Sequence, residues 1–190
     1  MQTTTLSAAL LCCLAQSATA NEFETAMRDF VDQNVAGWAT SPILVQAIKA
    51  QNTSTTLLPQ TTIDEMDATW RVQANSVCGG ALLDVLSNPA AAFLRERVAA
   101  TDGAITEALL MDARGLNVAA TRPTTDYWQG DEAKYTATYL VGPGGVHYGE
   151  IELDESTQQV QGQVSMTITD QSTGEPIGAL TIGINLTALM

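Results

Sequence analysis

Histidine, cysteine and positive charge are scarce in this chain. Eight lysines and arginines stand against 21 acidic residues among 190, giving a formal charge of −13. A surface of that sign repels phosphate backbones and anionic lipid, which argues against nucleic-acid and membrane-surface partners. His147 is the only histidine, so a zinc site of ordinary His/Cys composition is not expected. A Ser-His-Asp hydrolase would have to recruit that one imidazole, and the Gly-x-Ser-x-Gly elbow is missing. No phosphate-binding loop or dinucleotide fingerprint occurs either. The residues give no support for an enzyme, a cofactor or a metal.

Long apolar runs are also lacking. Leu6 to Leu14 falls short of the roughly 20 residues a membrane helix needs. With Ala18-Thr19-Ala20 behind it, the stretch reads instead as a secretion signal over residues 1–20, although its first residues carry no lysine or arginine. The expected product is residues 21–190, one exported domain without membrane insertion, periplasmic or secreted. Two of the three cysteines leave with the signal. Cys78 then stands alone, expected as a small buried helix residue, and no intrachain disulfide is expected.

What is present divides into two halves. Residues 21–103 show helical spacing. Phe23, Met27, Phe30, Val31, Val35 and Trp38 form one apolar stripe, and Ser41-Pro42 opens a short helix holding Ile43, Leu44, Ala47 and Ile48. Residues 51–61 are polar and read as a loop. Thr62-Ile-Asp-Glu65 matches a capping box, starting a helix that carries Ile63, Met66, Trp70 and Val77 inward. Asn88-Pro89 opens another helix, with Phe93, Leu94 and Val98, which ends before Asp102-Gly103.

From residue 104 the period becomes two. Residues 104–111 and 116–121 pair around Asp112-Ala-Arg-Gly115, where Asp112 is expected to bond its own backbone and Gly115 to supply the turn torsion. Residues 122–135 are irregular, with a short helix near Asp131–Tyr135. Gly142-Pro-Gly-Gly145 turns between residues 136–141 and 146–153. Strict alternation over Val160–Thr169 and over Ile177–Leu186 marks two further strands. Helices grouped first and antiparallel strands grouped second predict an α+β fold with helices on one face of the sheet.

The last strand has two unequal faces. Leu180, Ile182, Ile184 and Leu186 should pack on the helices. Ala179, Thr181, Gly183 and Asn185 are small, as are Ser165 and Thr167 beside Gln163 on the neighbouring strand. Small residues leave volume that Tyr127, Trp128 and Tyr135 could cover as a lid, making a small-molecule pocket. The alternative is that these aromatics complete the core on the second face. Tyr148, Glu150, Glu152 and Asp154 alternate on one strand face, as a hard-cation site or, more simply, an acidic solvent face.

Residues 104–189 resemble the Cache superfamily of extracellular PAS-like sensor domains, of the PDC type with a single module. The resemblance lies in the Asp112-x-x-Gly115 hairpin, the Asp126-Tyr-Trp-Gln-Gly-Asp-Glu-Ala-Lys134 segment, the Asp154-Glu-Ser-Thr157 turn, and Gly174-Glu-Pro-Ile-Gly178 leading into Gly183-Ile-Asn-Leu186. It implies an antiparallel five-stranded PAS-like sheet and a pocket for an amino acid, carboxylate or amine. By position, the implied ligand contacts are Asp126, Tyr127, Trp128 and Lys134 on the lid and Tyr148, Gln163, Ser165 and Thr167 on the sheet. Lys134 suits a ligand carboxylate and Asp126 a ligand amine, unless Lys134 simply pairs with Asp131 or Glu132 at the surface. The chain ends at Met190 with no downstream membrane helix, so signalling is expected to pass through a separate partner such as a membrane receptor or kinase. A structural or assembly protein of the cell envelope is the other reading.

Overall fold

The structure is a computed structural model that describes residues 22–76, 80–154 and 159–189. The expected signal at 1–20, Val77, Cys78, Gly79 and most of the turn ending at Thr157 lie outside the described residues.

The first helix, α1, covers residues 22–34, and after a turn at Val35 a short α2 follows at Ala36–Ala39. Met27, Val31, Val35 and Ala39 recur every fourth residue and are all buried, which is the stripe expected of a helix lying on a sheet. Ser41 and Pro42 open α3 (Pro42–Thr55), with the proline in its first turn. Leu44 and Ile48 face the core. The helix does not stop at residue 50, as the polar composition suggests. Its last turn bonds to the Asp112 hairpin: Gln51 Nε2 and Thr55 Oγ1 donate to Asp112 Oδ2 at 3.0 and 2.7 Å, and Asn52 Oδ1 accepts the Ala113 amide at 2.9 Å. Polar residues form helix here because their partners lie on another element.

Helix α4 (Gln60–Ser76) begins before the expected capping box. The Pro59 carbonyl accepts from Thr62 and Ile63, so Thr62 lies within the first turn and does not cap it. Short α5 (Ala81–Ser87) leads to α6 (Pro89–Ala99), whose Asn88 cap accepts the Ala91 amide as its Asn-Pro start predicts.

Six antiparallel strands follow: β1 (Ile105–Asp112), β2 (Asn117–Ala120), β3 (Val146–Tyr148), β4 (Glu152–Asp154), β5 (Gln159–Thr169) and β6 (Pro176–Asn185). Their order is β2-β1-β6-β5-β3, and β4 pairs with β5 beyond β3. Five ordered strands plus one extra, with N-terminal helices packed on the sheet, is the predicted α+β architecture. Residues 136–141 differ from the alternating reading. They belong to the short helix α7 (Ala133–Thr136) and the turns after it.

Leu180, Ile182 and Ile184 of β6 pack with Leu44, Ile48, Ala91 and Leu94 of the helices, as the bulky side of that strand predicts. The opposite face is only partly covered. There α4 brings Ile63 and Trp70 onto Leu109, Met111, Ala120 and Ala179, together with Tyr127 and Tyr135. Each of these faces has its own apolar cluster, and the second stops partway along the strands.

Candidate functional site

The hairpin turn anchors everything on the second face. Asp112 is fully buried, and its Oδ1 accepts the amides of Arg114 and Leu116 at 2.8 and 2.9 Å. Gly115 has φ +75°, and a Cβ there would stand 2.8 Å from the Gly130 backbone. That close approach lets residues 126–129 run beside the hairpin. The Gln129 amide donates to Gly115 O at 2.7 Å, the Asn117 amide to Tyr127 O at 3.0 Å, and Leu116 and Trp128 form an antiparallel bridge. The segment after β2 is therefore held as a quasi-strand rather than hanging free.

Helix α4 holds the same segment from the other side. Asp67 Oδ1 accepts the amides of Tyr127 and Trp128 at 2.7 and 3.1 Å, and Trp70 Nε1 donates to Thr124 O at 2.9 Å. Arg71 bridges Asp67 and Asp126 at 2.7 and 3.0 Å. The Tyr127 ring stacks on Trp70 with centroids 5.3 Å apart. Burial, with the Asp112 and Asp84 carboxylates adding to it, pushes the Tyr127 hydroxyl up to about 12. Tyr135 stacks on Tyr139, donates to Ala113 O at 2.8 Å, and is also raised by burial.

Beyond these aromatics, toward the other end of β6, the face opens. A cleft of ≈ 320 Å³ lies between the sheet and α7, lined by Glu107, Glu132, Lys134, Glu150, Glu152, Gln161 and Gln163 over the glycines 149, 162 and 183. A crevice of ≈ 40 Å³ shares Glu107, Lys134 and Gln163 with it and reaches in to Thr181, Leu109 and Thr124. Lys134 Nζ pairs with Glu132 at 2.9 Å, with the lysine side chain 19% exposed. Gln163 Nε2 donates to Glu107 Oε1 at 3.1 Å.

Glu107 is the residue that sequence reasoning missed. It keeps the alternation of Leu109 and Met111 on the second face. β1 bulges between Ile105 and Glu107, and the extra residue turns Ile105 to the helix side. Gly183 makes room for Glu107: a Cβ there would meet Thr106 Oγ1 at 2.6 Å and Glu107 Cγ at 2.8 Å. The signal was the parity that Glu107 shares with Leu109 and Met111.

The structure gathers some expected contacts and separates others. Lys134 and Gln163 meet in the cleft. Ser165 lies beneath, fully buried and hydrogen-bonded to Thr181 at 2.8 Å. Thr167 sits farther along β5, opposite Ala179, where its Oγ1 has no partner among the described residues. Asp126 and Trp128 line a separate depression of ≈ 500 Å³ with Asp64 and Arg71, and Trp128 Nε1 donates to Arg114 O at 2.9 Å. Tyr127 is buried against Trp70. Tyr148 pairs with Val164 and packs on the helix side, with the Arg28 guanidinium 5.9 Å from its ring centre. The expected acidic row is thus broken. Between β3 and β4 the chain leaves the regular ladder, so Tyr148 faces the helices while Glu152, paired with Gln161, faces the cleft. His147 pairs with Ser165 on β3.

Among the described residues no group of three or more His, Cys, Asp or Glu side chains is placed to hold a metal ion. No described helix is long and apolar enough to cross a membrane.

No family model and no curated protein matches the sequence. Structural matches over most of the chain are to sensor and ligand-binding domains of histidine kinases and chemoreceptors. The DctB histidine kinase sensor domain of V. cholerae is 15% identical with a TM-score of 0.37, over 91% of this chain and 58% of that one. The sensory domain of the Campylobacter jejuni chemoreceptor Tlp3, solved with isoleucine bound, is 14% identical with a TM-score of 0.37, over 97% of this chain and 66% of that one. The E. coli DcuS sensor domain is 14% identical with a TM-score of 0.37, over 68% of this chain and 95% of that one. The chain spans about three fifths of the DctB and Tlp3 domains and nearly all of the DcuS domain.

Proposed function

We propose that the protein is an exported sensor domain of the Cache type, which binds a small metabolite (an amino acid, carboxylate or amine) in the cleft beside α7. Occupancy is reported through a separate partner protein, such as a membrane receptor or kinase. The observation that carries this reading is the cleft itself. It opens where the sheet's second face loses its aromatic cover, and its ≈ 320 Å³ lies within the range of about 300–1,000 Å³ usual for small-molecule sites. Its lining is polar and convergent, and Lys134 and Gln163 are the contacts placed to touch a ligand directly. Thr181 lines the inner crevice and is hydrogen-bonded to Ser165. Asp126, Tyr127 and Trp128 act one step back, fixing the segment from which α7 projects. A ligand shifts the equilibrium of that segment only by its differential affinity for the two states.

A thermal-shift screen against amino acids, carboxylates and amines tests this. A true ligand at about 100 times its dissociation constant stabilises by ~2.7 kcal/mol. Gln163→Leu should abolish the shift of any ligand, and Lys134→Ala that of an amino acid or carboxylate, both while folding normally; an undiminished shift in Gln163→Leu sinks the site. The second reading, a structural protein of the envelope, draws on the burial of Tyr127 and Tyr135, which fill part of the face. It predicts that no compound in the screen raises the melting temperature.

A further inference from the structure

The register of the sheet places acceptors in two rows across the open end of the second face. One row runs Glu107–Gly183–Gln163 across β1, β6 and β5. The next runs Asn185–Gln161–Glu152 across β6, β5 and β4. Register partners point the same way from a pleated sheet, so Asn185 stands on the face that Gln161 and Glu152 share in lining the cleft. Asn185 is 8% exposed, and its Oδ1 has no hydrogen-bond partner among the described residues. A buried acceptor without a donor is unfavourable, and a ligand N–H would relieve it.

The cationic donors nearby, and the Gln163 amide, are committed. Lys134, the one cation among the cleft's described lining residues, is paired with Glu132. Arg122, at the edge of the inner crevice, donates to Thr106 O at 2.7 Å and lies 3.7 Å from Glu107. The Gln163 amide donates to Glu107. A carboxylate entering this cleft meets Glu107, Glu132, Glu150 and Glu152 with one neutralised lysine. An ammonium group meets acceptors on both walls.

We infer that the cleft takes an organic amine: a linear ligand carrying ammonium groups and no carboxylate, with one end at Glu107 and the other at Glu152 beside the Asn185 amide oxygen. This rests on the cleft being the binding site. The two glutamates stand three strand steps and one row apart, about 16 Å at the backbone, and their side chains reach inward to shorten the gap. Selection against anions comes from repulsion by the wall, which is the cheaper half of specificity.

Three probes with the same four-carbon backbone isolate charge: 1,4-diaminobutane, 4-aminobutyrate and succinate. Binding to the protein is followed by calorimetry and by the backbone amide shifts of Gly149, Gly162 and Gly183. The diamine should bind at least about tenfold more tightly than 4-aminobutyrate, weaken as salt is raised, and leave succinate without effect. Glu107→Gln and Glu152→Gln should each weaken the diamine by about tenfold, the loss of one charge-assisted bond. If 4-aminobutyrate or succinate binds as tightly and moves the same glycines, the cleft reading stands and the amine inference falls. Diamine binding that leaves these glycines unmoved, or that ignores both substitutions, also overturns it. So does calcium moving them while the diamine is silent. If no probe of the series moves them, the amine inference is gone, and the site itself falls only if the broader screen is negative too.

Discussion

The two ends of the sheet's second face are built from the same strands and treated in opposite ways. At one end, Leu109, Met111 and Ala179 lie under Trp70, Tyr127 and Tyr135. At the other, Glu107, Gly183 and Gln163 face solvent across the cleft. The boundary is the hydroxyl pair Ser165–Thr181, one register step from each. The β5–β6 ladder continues through both, so along that pair the difference lies in side chains. One end contributes apolar burial to stability, and the other leaves its surface polar and unfilled. That division is what a binding fold needs: a rigid end that positions residues and an open end that meets ligand.

The sharpest way to break the comparison is to hollow out the closed end. Trp70 is fully buried, and Trp70→Ala removes its stack on Tyr127 and its bond to Thr124. Large aromatic deletions of this kind cost about 3–5 kcal/mol, readable by chemical denaturation. A loss below 1 kcal/mol would mean that the aromatics cover the face without supporting it.

Alkali gives a second, somewhat smaller effect at the same end. The Tyr127 hydroxyl titrates near 10 when unfolded and at about 12 in the fold. Because the folded value is raised, the stability it supports is complete below pH 10 and is lost as pH climbs to about 12. Two units correspond to roughly 3 kcal/mol. Tyr127→Phe should flatten that part of the stability–pH curve, and an unchanged curve would assign the alkaline loss to other groups.

The grip of α4 on the segment after β2 comes next. Asp67→Asn keeps one oxygen for the Tyr127 and Trp128 amides but removes the charge that Arg71 neutralises. A loss of about 1–2 kcal/mol is expected, together with faster hydrogen exchange at those two amides. Unaltered exchange would show that the bridge from Leu116 to Trp128 holds the segment unaided.

Much of this molecule is legible in its sequence because the relevant signals are local. Alternation placed Leu180, Ile182 and Ile184 against the helices, and Asp112 and Gly115 announced their turn. Asn88-Pro89 fixed the start of α6. The failures share one cause, which is partners distant in the chain. Gln51, Asn52 and Thr55 look like loop residues until the Asp112 hairpin is set beside them. Tyr127 and Trp128 look like a lid over the small-residue strands. Which end of those strands they cover depends on Gly115 meeting Gly130, a contact with no local signature. Tyr148 and Glu152 share a parity that the irregular stretch between β3 and β4 reverses. Glu107 shares the parity of Leu109 and Met111, and following that alternation back along β1 would have placed it beside the cleft.

The smallest expected effect separates the two ends most clearly. Glu107 is partly exposed, bonded to Gln163 and 3.7 Å from Arg122. Exposed pairs of this kind contribute about 0–1 kcal/mol, and here the carboxylate also sits among Glu132, Glu150 and Glu152, whose repulsion offsets that gain. Glu107→Gln keeps the shape and a hydrogen-bonding oxygen while removing the charge. Its stability should lie within about 0.5 kcal/mol of the parent by denaturation, even though it lines the cleft. A charged residue given room by a glycine, and yet dispensable for folding, would be one whose position serves something other than folding. If Glu107→Gln instead cost more than 1 kcal/mol, the open end would be as structural as the closed one, and the contrast between them would disappear.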